Sequence, residues 1–81
     1  MSETNVPKKS EALRRVREAL TRCPLCGEPF DVVECNSHRT TPAPESLRFY
    51  FQFIHGEHEC VDFTMAVNFE EWLVKSLARG G

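Results

Sequence analysis

The sequence predicts an α+β fold in which a three-stranded antiparallel sheet is flanked by one N-terminal and one C-terminal helix. Apolar residues recur at helical spacing near both ends of the chain, apolar and polar residues alternate in central segments, and turn-forming residues separate the segments. With 81 residues the chain is long enough for one domain, and a core of that size leaves a domain only marginally stable. We therefore expect an additional stabilising element.

The first predicted element is a helix over residues 11–22, which follows a lead-in over residues 1–9 that we expect to be disordered. Ser10 is a suitable N-cap, and apolar residues spaced three and four apart form one narrow stripe along the helix. The rest of the helix surface carries arginines that could contact phosphates or an acidic partner, and that could equally form an ordinary solvated face: Arg14, Arg15, Arg17 and Arg22.

The segment after this helix, Cys23-Pro24-Leu25-Cys26-Gly27, is the most specific motif in the chain and is called the cysteine motif below. Two thiols separated by two residues can point at one tetrahedral metal ion, because Pro24 fixes φ after the first thiol and Gly27 can adopt a positive φ. Residues 1–9 show no signal-peptide pattern, and no apolar run approaches the ~20 residues of a membrane span. We therefore expect a reducing, cytoplasmic compartment and no membrane contact, and there this spacing favours zinc over a disulfide or a redox pair.

Three strands are predicted after the cysteine motif, over residues 30–35, 47–54 and 60–67. A segment rich in breaker residues, 36–46, is expected to form a surface loop between the first two strands. The second and third strands are joined by a tight connection at residues 55–59, called the hairpin tip below, in which Gly56 is free to take a positive φ. The large apolar residues of the second strand share one face: Leu47, Phe49, Phe51 and Phe53.

The register of the second and third strands is predicted from their apolar residues. If Phe51 lies opposite Phe63, the apolar residues of the third strand face the same side as the phenylalanines. In this register Cys60 lies opposite Ile54, on the side away from the phenylalanines. A slip by one residue would bury two polar residues beside them, Asp62 and Thr64.

The chain ends in a second predicted helix, over residues 69–79. Its apolar residues recur at helical spacing and are expected to form a stripe that packs against the sheet: Phe69, Trp72, Leu73 and Leu77.

Two sets of residues could complete a metal site with the cysteine motif. If the first strand leaves the motif at Glu28 and rises about 3.3 Å per residue, Cys35 lies roughly 20 Å away, and the next strand returns to the motif at His55. A local set is the alternative, in which Cys35 and His38 join the motif cysteines. Strand geometry favours the set that the hairpin tip completes, namely Cys23, Cys26, His55 and Cys60. His58 could replace Cys60 as the fourth ligand of this set.

The arrangement resembles the zinc-ribbon family, in which a CPxCG knuckle is followed by strands that return to a second ligand pair. The resemblance covers residues 22–67. Its first motif, Cys23-Pro24-Leu25-Cys26-Gly27, is specific, whereas His55-Gly56-Glu57-His58-Glu59-Cys60 replaces the usual second CxxCG. The resemblance implies one structural zinc ion and an association with transcription machinery. Because a zinc ion with four protein ligands has no open position for water, we expect no enzymatic activity.

The distribution of charge leaves two binding functions open. The net charge is −2, yet six basic and two acidic residues lie in 8–22, while nine acidic and four basic residues follow from Cys23 onward. In the favoured hypothesis the protein docks on a basic surface of a protein partner through acidic residues near the hairpin tip: Glu57, Glu59 and Asp62. In the alternative, residues 8–22 bind nucleic-acid phosphates, with Arg48 and Tyr50 as a small stacking site.

Overall fold

Two helices pack on one face of a three-stranded antiparallel sheet, which confirms the α+β fold. The computed structural model describes residues 6–43 and 46–80. The strands follow one another in the order β1 (Val32–Arg39), β2 (Leu47–His55) and β3 (His58–Met65). Helix α1 (Lys9–Ala19) precedes the sheet, and a short 3₁₀ turn (Ala66–Asn68) connects β3 to helix α2 (Phe69–Gly80). Within the described residues, neither helix has the length and hydropathy that a membrane span requires.

The core lies between the helices and the inner face of the sheet. Phe49, Phe51 and Phe53 alternate along β2 and are almost completely buried, as their spacing predicts. The Trp72 ring of α2 stacks on Phe51 with 4.7 Å between the ring centres. The helices and the residue that follows α1 contribute further large side chains to this core: Val16, Phe69, Trp72 and Leu73 from the helices, and Leu20 just after α1. The apolar stripes of both helices therefore cover the phenylalanine face.

The predicted register of β2 and β3 is wrong by one residue. Phe51 lies opposite Asp62 and Phe53 opposite Cys60, so that Phe63 is on the outer face. The turn explains this register: only Gly56 and Glu57 separate the paired residues His55 and His58, and Gly56 has a φ of +66°. A two-residue turn fixes the pairing of the strands that it connects, and here it overrides the preference for burying every apolar side chain.

Hydrogen bonds satisfy the polar side chains that this register turns inward. The indole Nε1 of Trp72 donates to the Asp62 carboxylate at 3.0 Å, and the buried Thr64 hydroxyl donates to the carbonyl of Met65 at 3.0 Å. Burial of a polar group is costly mainly when the group is left without a partner. The inward position of Asp62 and Thr64 is therefore compatible with a stable core.

Helix α1 begins and ends earlier than the predicted 11–22. It starts at Lys9, which places Ser10 inside the helix rather than at the N-cap. It stops at Ala19 because the backbone of Leu20 is extended, with φ −107° and ψ 128°. The side chain of Leu20 is buried in the core. Val6 packs against the core, so the predicted disordered lead-in does not extend to residue 9. Residues 1–5 of that lead-in lie outside the described residues.

Strand β1 runs further than the predicted 30–35. It pairs with β2 as far as Arg39, with Asn36 opposite Tyr50 and His38 opposite Arg48. The prediction that the surface loop begins at residue 36 was therefore wrong. Residues 36–39 continue the strand, where pairing with β2 provides hydrogen-bond partners for their backbone N–H and C=O groups. Residues 44–45 of that loop are outside the described part of the chain.

An ion pair joins the two helices. The Arg15 guanidinium contacts both carboxylate oxygens of Glu70, with 2.9 Å between Nη2 and Oε1, and it lies 5.4 Å from the centre of the Phe69 ring. A two-point contact of this kind has a defined geometry, which favours it over a single flexible contact. It ties α1 to the first turn of α2.

This ion pair predicts a measurable pH dependence. The hydrogen bond and charge of Arg15 lower the pKa of Glu70. The pair therefore stabilises the fold fully above the pKa of an unfolded glutamate, and this contribution is lost as the pH falls through the lowered pKa of Glu70. In a carbon-13 titration of the carboxyl groups, Arg15→Gln should raise the pKa of Glu70. Glu71, which pairs with Lys75 instead, is the internal reference. An unchanged Glu70 titration would contradict the contact.

Candidate metal centre

The cysteine motif and the hairpin tip meet at one end of the sheet. The backbone N–H of Asp31 donates to the carbonyl of Ile54 at 2.8 Å, and the Gly56 N–H donates to the Asp31 carboxylate at 2.9 Å. These bonds hold the segment after the motif against the end of β2. Three thiol sulfurs and one imidazole nitrogen consequently lie within 4.8 Å of one another, in a group called the Cys3His cluster below: Cys23, Cys26, His55 and Cys60.

The local sequence of the motif forms the turn that carries the first two thiols. The N–H of Gly27 donates to the Cys23 carbonyl at 2.8 Å, and Gly27 has a φ of +82°, a conformation that glycine adopts without steric cost. The N–H of Leu25 points at the Cys23 sulfur at 3.4 Å. Arg22 donates to the Gly27 carbonyl at 3.1 Å and supports the turn from outside. The motif is therefore shaped for two sulfur ligands.

A backbone carbonyl determines which nitrogen of His55 faces the cluster. The His55 Nδ1 lies 3.0 Å from the carbonyl oxygen of Pro29, which can only accept a hydrogen bond, so Nδ1 carries the proton. In the neutral imidazole the other nitrogen, Nε2, is then the one with a free lone pair, and it lies 3.8 Å from the Cys26 sulfur. Metal-binding histidines commonly have their second nitrogen fixed by such a hydrogen bond. His55 is therefore oriented as a ligand.

The corrected register decides the position of Cys60. The expectation that Cys60 lies opposite Ile54 was wrong: it lies opposite Phe53, on the side of the sheet that faces the cysteine motif. Burial, together with the adjacent Cys23 and Cys26 thiols, raises the pKa of Cys60 to about 11. A divalent cation bound between these three sulfurs would stabilise them as thiolates.

The cluster fits a tetrahedral metal ion. Zinc–sulfur bonds of about 2.3 Å at tetrahedral angles place two sulfurs about 3.8 Å apart, and a zinc–nitrogen bond is slightly shorter. The ligand atoms of the Cys3His cluster, all within 4.8 Å of one another, need only a small contraction to reach these distances. Bound zinc would provide charge neutralisation and a cross-link between the two segments.

The other candidate ligands lie outside the cluster. His58 is exposed, with its Nε2 at 3.3 Å from the Cys60 sulfur, where it can hydrogen-bond to that sulfur. Cys35 lies opposite Phe51 in β1, and burial raises the pKa of its thiol to about 11 against a smaller opposing effect of Lys9. His38 pairs with Arg48 in the sheet. The structure therefore does not assemble the local set that contains Cys35 and His38.

Substitution of the two histidines should show which of them binds the metal ion and which only lies next to the site. His55→Ala removes a ligand and should weaken zinc binding by more than the roughly 10–100-fold typical of a lost supporting hydrogen bond. His58→Ala removes at most such a hydrogen bond and should retain one zinc ion per chain. Competition with a chromophoric zinc chelator measures both affinities. If His55→Ala retained full zinc affinity and His58→Ala lost it, His58 and not His55 would be the ligand.

The charged residues predicted to bind partners have unequal surroundings. Arg15 and Arg22 are engaged by Glu70 and the cysteine motif, whereas Arg17 is exposed and Arg14 forms only an exposed contact with Glu18 at 3.4 Å. On the acidic side, Asp62 accepts the Trp72 hydrogen bond, Glu59 accepts one from Gln52 at 2.7 Å, and Glu57 is exposed in the turn. Among the residues predicted to bind partners, Arg14, Arg17 and Glu57 are therefore exposed without a contact to another element, and Glu59 is exposed beside Gln52.

Sequence reasoning missed three groups that support the site. The Pro29 carbonyl orients His55, the Asp31 carboxylate holds Gly56, and Arg22 supports the motif rather than forming only part of a basic surface. A backbone carbonyl carries no sequence signal at all. The position of Asp31 just beyond the motif indicates nothing until the hairpin tip has been placed next to it.

Comparisons with protein-family models, with curated proteins and with solved structures find no match in any of the three. The Cys3His cluster is compatible with a zinc-binding fold. The arrangement of its four ligand atoms is the observation on which a functional proposal can rest.

Proposed function

We propose that this protein is a small, non-catalytic zinc-binding module of the zinc-ribbon type, with one structural Zn²⁺ held by the Cys3His cluster. The main observation that supports this proposal is that four potential ligand atoms lie within 4.8 Å of one another. A ligand set of three sulfurs and one imidazole nitrogen favours zinc over the hard cations magnesium and calcium, which prefer oxygen ligands. Four protein ligands leave no position for a reactive water, which supports a structural role.

The position of the cluster explains how zinc would stabilise so short a chain. It connects the turn after α1 to the hairpin tip, segments that are distant in the sequence. In a small domain the free energy of zinc binding contributes directly to folding, because the unfolded chain has no preformed site. The zinc ion would thus act as the additional stabilising element that a core of this size requires.

Native mass spectrometry with and without a strong chelator tests this proposal. We expect a mass corresponding to one zinc ion per chain, and loss of both the ion and the far-ultraviolet circular dichroism of the fold when the chelator removes it. Re-addition of zinc should restore both signals. A chain that folds fully without metal, and that does not take up zinc, would refute the zinc-binding module.

The second part of the proposal is that the module docks on a protein partner, such as a component of the transcription machinery. Support comes from the resemblance to zinc ribbons and from the exposed carboxylates of Glu57 and Glu59 near the hairpin tip. These charges suit a basic surface on the partner, and zinc would hold the tip that presents them. Charged residues at the edge of a protein–protein interface mainly raise the rate at which the two proteins associate.

Nucleic-acid binding through residues 8–22 is the alternative, and the exposed Arg14 and Arg17 are the observation that favours it. Titration with single- and double-stranded oligonucleotides at two salt concentrations distinguishes the functions. Phosphate contacts would produce affinity that falls steeply with salt and that decreases in Arg14→Gln/Arg17→Gln, with Arg79→Gln on α2 as the control. Absence of binding at low salt rules out the alternative, whereas binding that depends on both arginines replaces the protein-docking role.

A further inference from the structure

The outer face of the sheet, the side opposite the helices, carries an apolar patch. Val61 and Phe63 on β3 are each 52% exposed, and the Phe63 ring stacks on Tyr50 of β2 with 5.6 Å between ring centres. Val32 of β1 and Ile54 of β2 lie opposite each other on the same face. Contiguous exposed apolar side chains of this kind commonly mark an interaction surface.

Charges of opposite sign lie at the two ends of this patch. Glu59 lies opposite Ile54 at the end near the hairpin tip, where Glu34 is also on the outer face. Arg48 lies at the other end, beside His38, with its guanidinium 6.0 Å from the centre of the Phe63 ring. The two ends are six residue steps apart along β2, from Arg48 to Ile54, or about 20 Å at the rise of a strand. The two acidic residues therefore lie toward the hairpin tip and Arg48 lies toward the opposite end. Between these charges, the exposed Val61 and Phe63 line the β3 side of the face, and the hydrogen-bonded amides of Asn36 and Gln52 lie toward β1.

We propose that the outer face binds a second copy of this chain. When two such faces meet, rotation by 180° about an axis that runs across the strands reverses the strand direction, and the acidic end of one copy then covers the basic end of the other. Rotation about an axis along the strands would instead place acidic end on acidic end. A two-fold dimer uses the same patch twice, so the patch must complement itself. Only the first rotation gives this complementarity.

The same rotation also matches the apolar residues. With its axis between Tyr50 and Gln52, it keeps each strand over its counterpart and brings Phe63 of one copy level with Val61 of the other. Arg48 of one copy then faces Ile54 of the other, and Glu59 lies beside that Ile54 on the neighbouring strand, about 4.8 Å to the side and within reach of the long arginine side chain. The two-fold axis makes this contact occur twice. Three strands of eight residues span on the order of 400 Å², which is less than the roughly 800 Å² per partner of a standard interface. We therefore expect a weak dimer that dissociates at micromolar concentration.

Sedimentation equilibrium from low micromolar to near-millimolar concentration tests the dimer. The wild-type protein should pass from monomer to dimer over this range. Phe63→Ser should weaken the dimer at least about tenfold, since it removes a central aromatic contact. Val74→Ser on α2 changes an apolar residue that is 65% exposed elsewhere, and should leave the dimer intact. A wild-type protein that remains monomeric throughout, or a Phe63→Ser protein that dimerises like the wild type, would overturn the proposal.

Charge exchange tests the orientation of the two copies independently of Phe63. Arg48→Glu alone and Glu59→Arg alone each place like charges together across the interface and should be monomeric. An equal mixture of the two variants pairs opposite charges at both contacts and should dimerise. Failure of the mixture to dimerise overturns the two-fold arrangement. A single-stranded oligonucleotide that binds the wild type but not Phe63→Ser would assign the face to nucleic acid instead.

Discussion

Cys60→Ser is expected to abolish zinc binding and to leave the chain unfolded, whereas Cys35→Ser should retain one zinc ion per chain. Cys60 belongs to the Cys3His cluster, and its loss would remove one of the four ligands of the proposed zinc site, whose binding free energy we expect to contribute to folding. Cys35 is buried opposite Phe51, where a serine hydroxyl should cost about 1–3 kcal/mol of unfolding free energy without touching the metal. The difference between the two variants should therefore be qualitative.

Native mass spectrometry and circular dichroism of the purified variants measure both effects. Cys35→Ala is a useful second control, because it removes the thiol without placing a hydroxyl in the core. Full zinc affinity in Cys60→Ser together with its loss in Cys35→Ser would mean that the local ligand set with Cys35 and His38 is the correct one.

Phe51→Ala is expected to lower the free energy of unfolding by about 3–5 kcal/mol, which is the usual cost of removing a buried phenylalanine ring. Phe51 is 0% exposed and contacts Phe69 and Trp72 of α2 through its ring. A domain of this size has a total stability of only several kcal/mol, so we expect the zinc-loaded variant to retain little stability at room temperature. Denaturant titration of the zinc-loaded protein measures the loss.

The matched control for Phe51→Ala is Phe63→Ala. Phe63 lies on the outer face and is half exposed, so its loss should cost about 1 kcal/mol or less when the chain is measured as a monomer at low micromolar concentration. The pair also tests the strand register. Equal destabilisation by the two substitutions would indicate the register that faces Phe51 with Phe63, rather than with Asp62.

The four residues of the Cys3His cluster could be named from the sequence even though the predicted register was wrong. Strand length and direction alone return His55 to the cysteine motif and place Cys35 further along β1, away from the motif. Neither inference depends on a shift by one residue. The face on which Cys60 lies does depend on it. Sequence reasoning therefore named Cys60 while placing it on the wrong side of the sheet.

The register error has a specific physical cause. The apolar residues of β3 favour burial of Val61 and Phe63, but the two-residue turn at Gly56 and Glu57 sets the pairing one residue away. The resulting inward position of Asp62 is stabilised by the Trp72 indole, a residue of α2 that no analysis of the hairpin alone includes. A local geometric constraint and a distant hydrogen bond together outweighed the apolar pattern.

The sequence by itself determined the α+β fold, the alternating core face of β2 and the cysteine motif, because each depends on spacing within one short segment. Only the tertiary structure decided which side of the sheet carries Cys60, which nitrogen of His55 faces the cluster, and which apolar residues remain exposed. These features depend on contacts between distant segments: the Pro29 carbonyl with His55, and Asp62 with Trp72. Spacing along the chain cannot specify such contacts, because several registers satisfy the same pattern of apolar residues.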